Sequence, residues 1–146
     1  MPVTVLIRGL EKLARAAEEA DRSRRLLNEA VKKESHDFMN RVIRTAKTDY
    51  LSGGDEDRLK VRTGRLRSSI TGTVVEEGSD LVIQVGTDVP YAPIHEFGGQ
   101  TGRGGRVHIR ARPFLSRSFA DEKDGFISRI EGLLQRVSEG INAAGQ

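Results

Sequence analysis

Apolar positions in this chain change period five times, and each change marks an element. Val3, Val5 and Ile7 alternate with Thr4 and Leu6, a strand pattern that closes at Gly9. From Glu11 to Ser52 there is neither glycine nor proline, and Ala, Leu, Glu, Lys and Arg dominate, which predicts helix. Leu10, Leu13, Ala17 and Ala20 keep one stripe, and Leu27, Val31, Phe38, Val42 and Ala46 keep another. Met39, Ile43 and Tyr50 widen the second stripe into a face suited to covering a sheet. Between Asp21 and Arg25 four of five residues are charged, so the helix either runs on as a solvated span or bends there, with Ser23 capping its second half. Run straight, about 40 residues at 1.5 Å each would reach about 60 Å. That exceeds what the chain's own core needs and leaves part of the helix for another subunit. Two helices folded on one core are the alternative.

Gly53 and Gly54, followed by Asp55, Glu56 and Asp57, end the helix in an acidic turn. Beyond it, Leu66, Ser68, Ile70, Gly72 and Val74 would share one strand face, with Arg65, Arg67, Ser69 and Thr71 on the other. A turn around Gly78 leads to Leu81, Ile83 and Val85, alternating with Val82 and Gln84, and predicts an antiparallel hairpin with one apolar face. Asp88 is placed to cap a short helix that Pro90 enters and Gly98 ends in a left-handed conformation, with Tyr91, Ile94 and Phe97 on its buried side. Gly98 to Arg106 holds five glycines and two arginines in nine residues, the composition of a mobile loop. Val107, Ile109 and Ala111 resume strand alternation against His108, Arg110 and Arg112. Pro113 fits the first turn of a last helix, which Phe114, Leu115, Phe119, Phe126, Ile130, Leu133, Leu134, Val137 and Ile141 follow at helical spacing; the tail from Asn142 should fray. The reading is an α+β fold in a single domain over 1–146. Residues 3–52 give a strand and long helix, 63–112 a small, mainly antiparallel sheet with a short helix and a Gly/Arg-rich loop, and 113–141 the C-terminal helix. Ile83 and Leu134 belong to the core, as do Tyr91, Phe97 and Phe114.

Composition narrows the chemistry. The 146 residues carry 24 Lys and Arg against 21 Asp and Glu, a net charge of +3, so the placement of charge matters more than its sum. There is no cysteine, which excludes disulfides and thiolate metal sites. No apolar run approaches the roughly 20 residues of a membrane helix. The glycine loop lacks the spacing and lysine of a phosphate-binding P-loop. His95-Glu96 resembles the start of a zinc-protease helix, but Gly99 stands where the second histidine would be, and His36 and His108 are remote in sequence. No serine sits in a nucleophile elbow. No cofactor, metal or catalytic residue is expected, with a hydrolase of unrecognised site as the least favoured alternative.

Two basic clusters remain: Arg58, Lys60, Arg62, Arg65 and Arg67, and Arg103, Arg106, Arg110 and Arg112. Arg58 to Arg62 read as solvated charges paired with the acidic turn. Arginines on a glycine-rich backbone have no packing explanation, which favours a function for Arg103 and Arg106; with them, Arg65, Arg67, Arg110 and Arg112 of the two clusters are candidates to face a partner protein or DNA phosphates. Without interleaved aromatics a base-stacking platform is unsupported.

Three short signatures stand in order: Thr63-Gly64-Arg65-Leu66 with Ser69-Ile70 behind it; Tyr91-Ala92 with His95-Glu96-Phe97-Gly98; and Ala111-Arg112-Pro113-Phe114-Leu115. Together they resemble the tail-completion, or virion-morphogenesis, proteins of tailed bacteriophages. The resemblance implies a structural protein without catalysis, assembled in the host cytoplasm and resident in the virion neck or tail. It implies a homo-oligomeric ring at the head-proximal end of the tail, on the genome's path and joining tail to head. The ring is sixfold by analogy with tail symmetry, or twelvefold beside a portal-type ring. Its expected partners are the tail terminator or tube, the head connector proteins and, non-specifically, genomic DNA, with no membrane. The Gly/Arg loop is expected to dock on protein rather than DNA. The alternative is a nucleic-acid-binding α+β module that uses the basic hairpin and loop.

Overall fold

The computed structural model describes residues 2–7, 21–54, 58–59 and 64–144. Strand β1 (Pro2–Ile7) and helix α1 (Asp21–Thr45), which passes into a π turn over Ala46–Tyr50, come first. Helix α2 (Arg65–Ser69), the hairpin β2 (Thr71–Glu77) and β3 (Asp80–Gly86), and helix α3 (Ala92–Phe97) follow. A second hairpin, β4 (Gly99–Thr101) and β5 (Val107–Ile109), precedes helix α4 (Leu115–Ala144). The fold is α+β. The stripe from Leu10 to Ala20, the stop at Gly9, the acidic turn Asp55–Asp57, Lys60, Arg62, Thr63 and the side chain of Ile141 lie outside the described residues. So does the junction that would make the N-terminal helix continuous through residues 11–20.

The first sheet has the order β1-β3-β2, antiparallel throughout. Its central strand β3 turns Leu81, Ile83 and Val85 into the core, where Ile83 is fully buried. Val82, on the opposite face, is buried as well, because Leu6 and Val75 flank it in register from the two edge strands. Helix α1 and the π turn after it lie over the inner face with Leu27, Val31, Phe38, Val42 and, in the turn, Ala46 all buried, as the stripe predicts. Its approach is close at Gly72, where a Cβ would stand 2.7 Å from the Met39 side chain and 2.9 Å from the Gln84 carbonyl oxygen.

Helix α4 runs antiparallel beside α1. Phe38 stacks on Phe126 at 4.4 Å and meets Phe119 edge-on at 5.7 Å, a favourable aromatic geometry. A polar seam follows the same contact. Glu34 accepts from Arg41 at 2.7 Å and Arg129 at 2.6 Å, and Thr45 donates to Glu122 at 2.8 Å. The Tyr50 hydroxyl donates to Asp121, and that bond, with burial, pushes the Tyr50 pKa up to about 12. These bonds fix the register of two helices whose apolar contact alone would tolerate sliding. Leu134, in the C-terminal half of α4, is half-buried rather than a core residue.

The chain departs from the sequence reading at other points. Arg65–Ser69 is a helical turn, not a strand, and the strand begins only at Thr71. Leu66 and Ile70 are four apart, a spacing that suits one helical turn as well as a strand face. Gly64, at φ 73°, opens the turn, Ser68 N–H donates to its carbonyl at 2.9 Å, and the Ser69 hydroxyl folds back on the Leu66 carbonyl at 2.7 Å. Among the described residues, its chain neighbours aside, no atom lies within 4 Å of a Cβ added at Gly64, so its positive φ rather than a close approach is what favours glycine there. Pro113 precedes α4 rather than entering its first turn, and α4 continues through Asn142 to Ala144.

Replacing Ile83 by alanine is expected to cost about 2–5 kcal/mol, as for other fully buried aliphatic truncations. Leu134→Ala should cost clearly less. Urea unfolding of the two variants checks the ranking; equal losses would contradict the burial described here.

Candidate functional site

Helix α4 begins without a cap of its own. Phe114, the residue before it, has no side-chain acceptor, so the first N–H groups of a 30-residue helix need a partner from elsewhere. Glu96 supplies it. Its carboxylate, 2% exposed, accepts from Phe114 N at 2.8 Å, Leu115 N at 3.0 Å and Ser116 N at 2.9 Å, and also from the Ser116 hydroxyl. A buried charge is tolerable there because charge-assisted bonds and the positive end of the helix dipole both compensate it. The second and third signatures are therefore two halves of one joint.

Gly98 closes that joint. It stands at φ 71° and ψ −176° after α3, the positive φ expected of the helix stop, and donates its N–H to the Ile94 carbonyl at 2.9 Å. A Cβ there would lie 2.7 Å from Ala111 N and 2.9 Å from the Ile109 carbonyl, so the two signatures touch backbone to backbone. Arg112 N–H donates to the His95 carbonyl at 2.7 Å on the same seam. The first signature joins the same end of the sheet: the hydroxyls of Ser69 and Thr87 lie 2.6 Å apart, and Thr87 accepts from Val89 N at 3.1 Å. Thr87, not Asp88, organises the entry to α3; Tyr91 is the residue at the cap, and the proline in the first turn is Pro93 rather than Pro90.

Two aromatics read as core are instead at the surface. Phe97 is 69% exposed and Tyr91 40% exposed, the latter edge-on to His95 at 5.9 Å; Phe114 alone of the three is buried. Pinning Glu96 into the α4 joint fixes the rotation of α3, and that rotation turns Tyr91 and Phe97 outward. The His95 Nδ1 is buried without a hydrogen-bond partner among the described residues. Burial first, and then the Arg112 guanidinium, holds the His95 pKa below its usual value.

The Gly/Arg segment is not a structureless loop. Gly99–Thr101 pairs with Val107–Ile109, and a 3₁₀ turn over Arg103–Gly105 closes the hairpin. Gly102, Gly104 and Gly105 all stand at positive φ, between 66° and 82°, which is why the tip needs glycine. Arg103 and Arg106 are exposed at that tip and make no ion pair among the described residues. Arg110 is exposed and Arg112 half-buried beyond it. Arg65 and Arg67, on α2, attach to the end of the sheet where β3 finishes through the Ser69–Thr87 contact, the end from which the chain enters α3 and the second hairpin. Sequence reasoning did not identify the capping role of Glu96, the Ser69–Thr87 pair or the seam of Glu34–Arg41, Glu34–Arg129 and Thr45–Glu122 bonds. A helix entry lacking its own cap at Phe114 was the one available signal. Among the described residues no group of three or more His, Cys, Asp or Glu is placed to hold a metal ion, and no helix is long and apolar enough to cross a membrane.

The model of the phage virion morphogenesis family matches residues 44–136, well over half of the chain and all of the joint just described. A Mu-like prophage FluMu G protein 2 from Haemophilus influenzae is 41% identical over 70 residues. That alignment covers 46% of this chain and 51% of the relative, so the chain spans about half the length of the curated relative it matches. No solved structure matches the chain.

Glu96→Ala leaves the α4 N–H groups unpaired, and at about 1–3 kcal/mol for each buried donor the loss should reach about 3 kcal/mol or more, with Glu96→Gln costing less. Urea titration measures both; a Glu96→Ala variant as stable as the parent would contradict the cap. A separate expectation concerns acid. Because the folded protein holds His95 below its unfolded value of 6.5, the unfolded chain takes up the proton first as pH falls. Stability from this group is whole above 6.5 and declines below it toward the folded value. Comparing His95→Gln with the parent between about pH 7.5 and pH 5 should show the variant losing less stability.

Proposed function

Because the chain belongs to the phage virion morphogenesis family, and so serves the building of a phage particle, we propose that it is a tail-completion subunit. In this reading it closes into a homo-oligomeric ring, sixfold or twelvefold, in the neck or at the head-proximal end of the tail. It carries no catalysis, and its partners there are the tail terminator or tube and the head connector.

The observation that carries this reading is the use to which the signature residues are put. Glu96, Gly98, Arg112 and Phe114 spend their polar and steric capacity on one internal joint, which presents a basic hairpin and two exposed aromatics at a single end of the fold. A rigid joint that projects side chains outward suits a subunit whose work is docking. Exposed aromatics and arginines are the residue types that anchor protein interfaces. The prophage origin of the relative agrees with a place in a phage particle. The arginines also favour a second reading, a monomeric module that binds DNA through phosphate contacts.

Light scattering on the purified chain separates the two. The ring reading expects a discrete mass at six or twelve times 16.1 kDa without nucleic acid. Phage lacking the protein should accumulate filled heads and separate tails when counted by negative-stain microscopy. A chain that stays monomeric and binds DNA with an affinity falling steeply with salt would replace the ring by the second reading.

A further inference from the structure

Charge is divided between the two ends of the three-stranded sheet. At one end, the turn from β2 to β3 carries Glu76, Glu77 and Asp80, and neither strand holds a lysine or arginine. Glu77 and Asp80 face each other in register across Gly78 and Ser79, the position where like charges destabilise a hairpin. Lys32 of α1 pairs with Glu76, whereas Glu77 and Asp80 have no ion-pair partner among the described residues. At the other end, Gly98 to Arg112 contains Arg103, Arg106, Arg110 and Arg112 and no acidic residue. Between Leu81 and Ala120 the chain has only two carboxylates, Asp88 and Glu96, and Glu96 is buried in the α4 cap.

The position of the two ends follows from α1. Its Lys32 reaches the acidic turn, its Met39 covers Gly72, and its Thr45 meets Glu122 near the start of α4, where Glu96 anchors α3 and the basic hairpin. From Lys32 to Thr45 is about 20 Å along the helix axis. The acidic turn and the basic hairpin are therefore anchored at opposite ends of the subunit.

We propose that the β4–β5 hairpin of one copy, through Arg103 and Arg106, docks on the β2–β3 turn of the next copy, at Glu77 and Asp80. The contact is heterologous, one patch meeting a different patch, the type that generates rings when its rotation closes. Docking relieves the opposed carboxylates of Glu77 and Asp80 and gives two exposed arginines their counter-charges, so each copy supplies what the next lacks. An exposed contact of this kind weakens as salt rises. The proposal rests on the ring reading above and names its subunit interface.

Complementation between charge-reversed variants tests it. Arg103→Glu/Arg106→Glu makes both ends acidic, and Glu77→Arg/Asp80→Arg makes both ends basic. Each alone should lose the multimer in light scattering, with circular dichroism and melting temperature close to the parent. Mixed in equal amounts, the two should restore the parent mass by alternating around the ring, because every junction then pairs opposite charges. A fold defect would not be cured by mixing. Variants that keep the parent mass, or a mixture that stays dissociated, would overturn this interface while leaving the ring intact. Loss of DNA binding with an unchanged multimer would assign the hairpin to phosphates instead. A parent that is monomeric throughout would overturn the ring reading itself.

Discussion

The buried carboxylate of Glu96, bound to three backbone N–H groups at the head of α4, is the constraint from which the candidate surface follows. A charge taken out of water has to be compensated in full, and the bond geometry that compensates it admits little freedom in either partner. Helix α3 cannot rotate without stripping the cap, and α4 cannot shift without leaving the carboxylate unpaired. Gly98 makes the constraint stiffer, since its backbone lies against that of Ala111 with no room for a side chain. The hairpin between these two fixed points is short, and its direction of departure is set at both feet.

The remainder of the fold holds the two ends of the protein at a set separation. Helix α1 bridges them, with its buried stripe on the sheet and its polar seam against α4. The Phe38, Phe119 and Phe126 cluster supplies much of the apolar contact between the two helices. Glu34, Arg41, Thr45 and Glu122 add direction, because a bond between named partners is lost on a slip of one turn whereas apolar contact is not. A subunit that transmits position from one neighbour to another benefits from this division, with adaptable contacts outside and a fixed span within.

Charge placement carries more functional meaning than net charge. A balance of +3 over 146 residues predicts little, yet the described carboxylates and guanidinium groups of the two hairpins are segregated by sign to opposite ends. Such polarity favours contact between unlike ends and disfavours pairing of like ends, the arrangement that the proposed ring uses. The exposed Phe97 and Tyr91 lie at the basic end, where apolar contact can add to the electrostatic one.

Much of the architecture was legible along the chain because it depends on period alone. The stripe Leu27, Val31, Phe38, Val42 and Ala46, the alternation in β3, the stop at Gly98 and the C-terminal helix all read directly, since a single periodic face has one buried solution. The three signatures were visible too, with their order. What they do was not. The spacing of Leu66 and Ile70 fits two conformations, and only the dihedral of Gly64 and the serine back-bonds decide for helix. Glycine-rich composition at 98–106 reports backbone freedom, but not that all five of those glycines stand at positive φ, in and at the foot of a closed hairpin. Glu96 looks like any surface glutamate until α4 arrives from eighteen residues away to require its carboxylate. The outward turn of Phe97 follows from that bond, so local sequence determined the long periodic elements and their faces, while backbone dihedrals decided α2 and the capping of one element by another decided which face of α3 met the solvent.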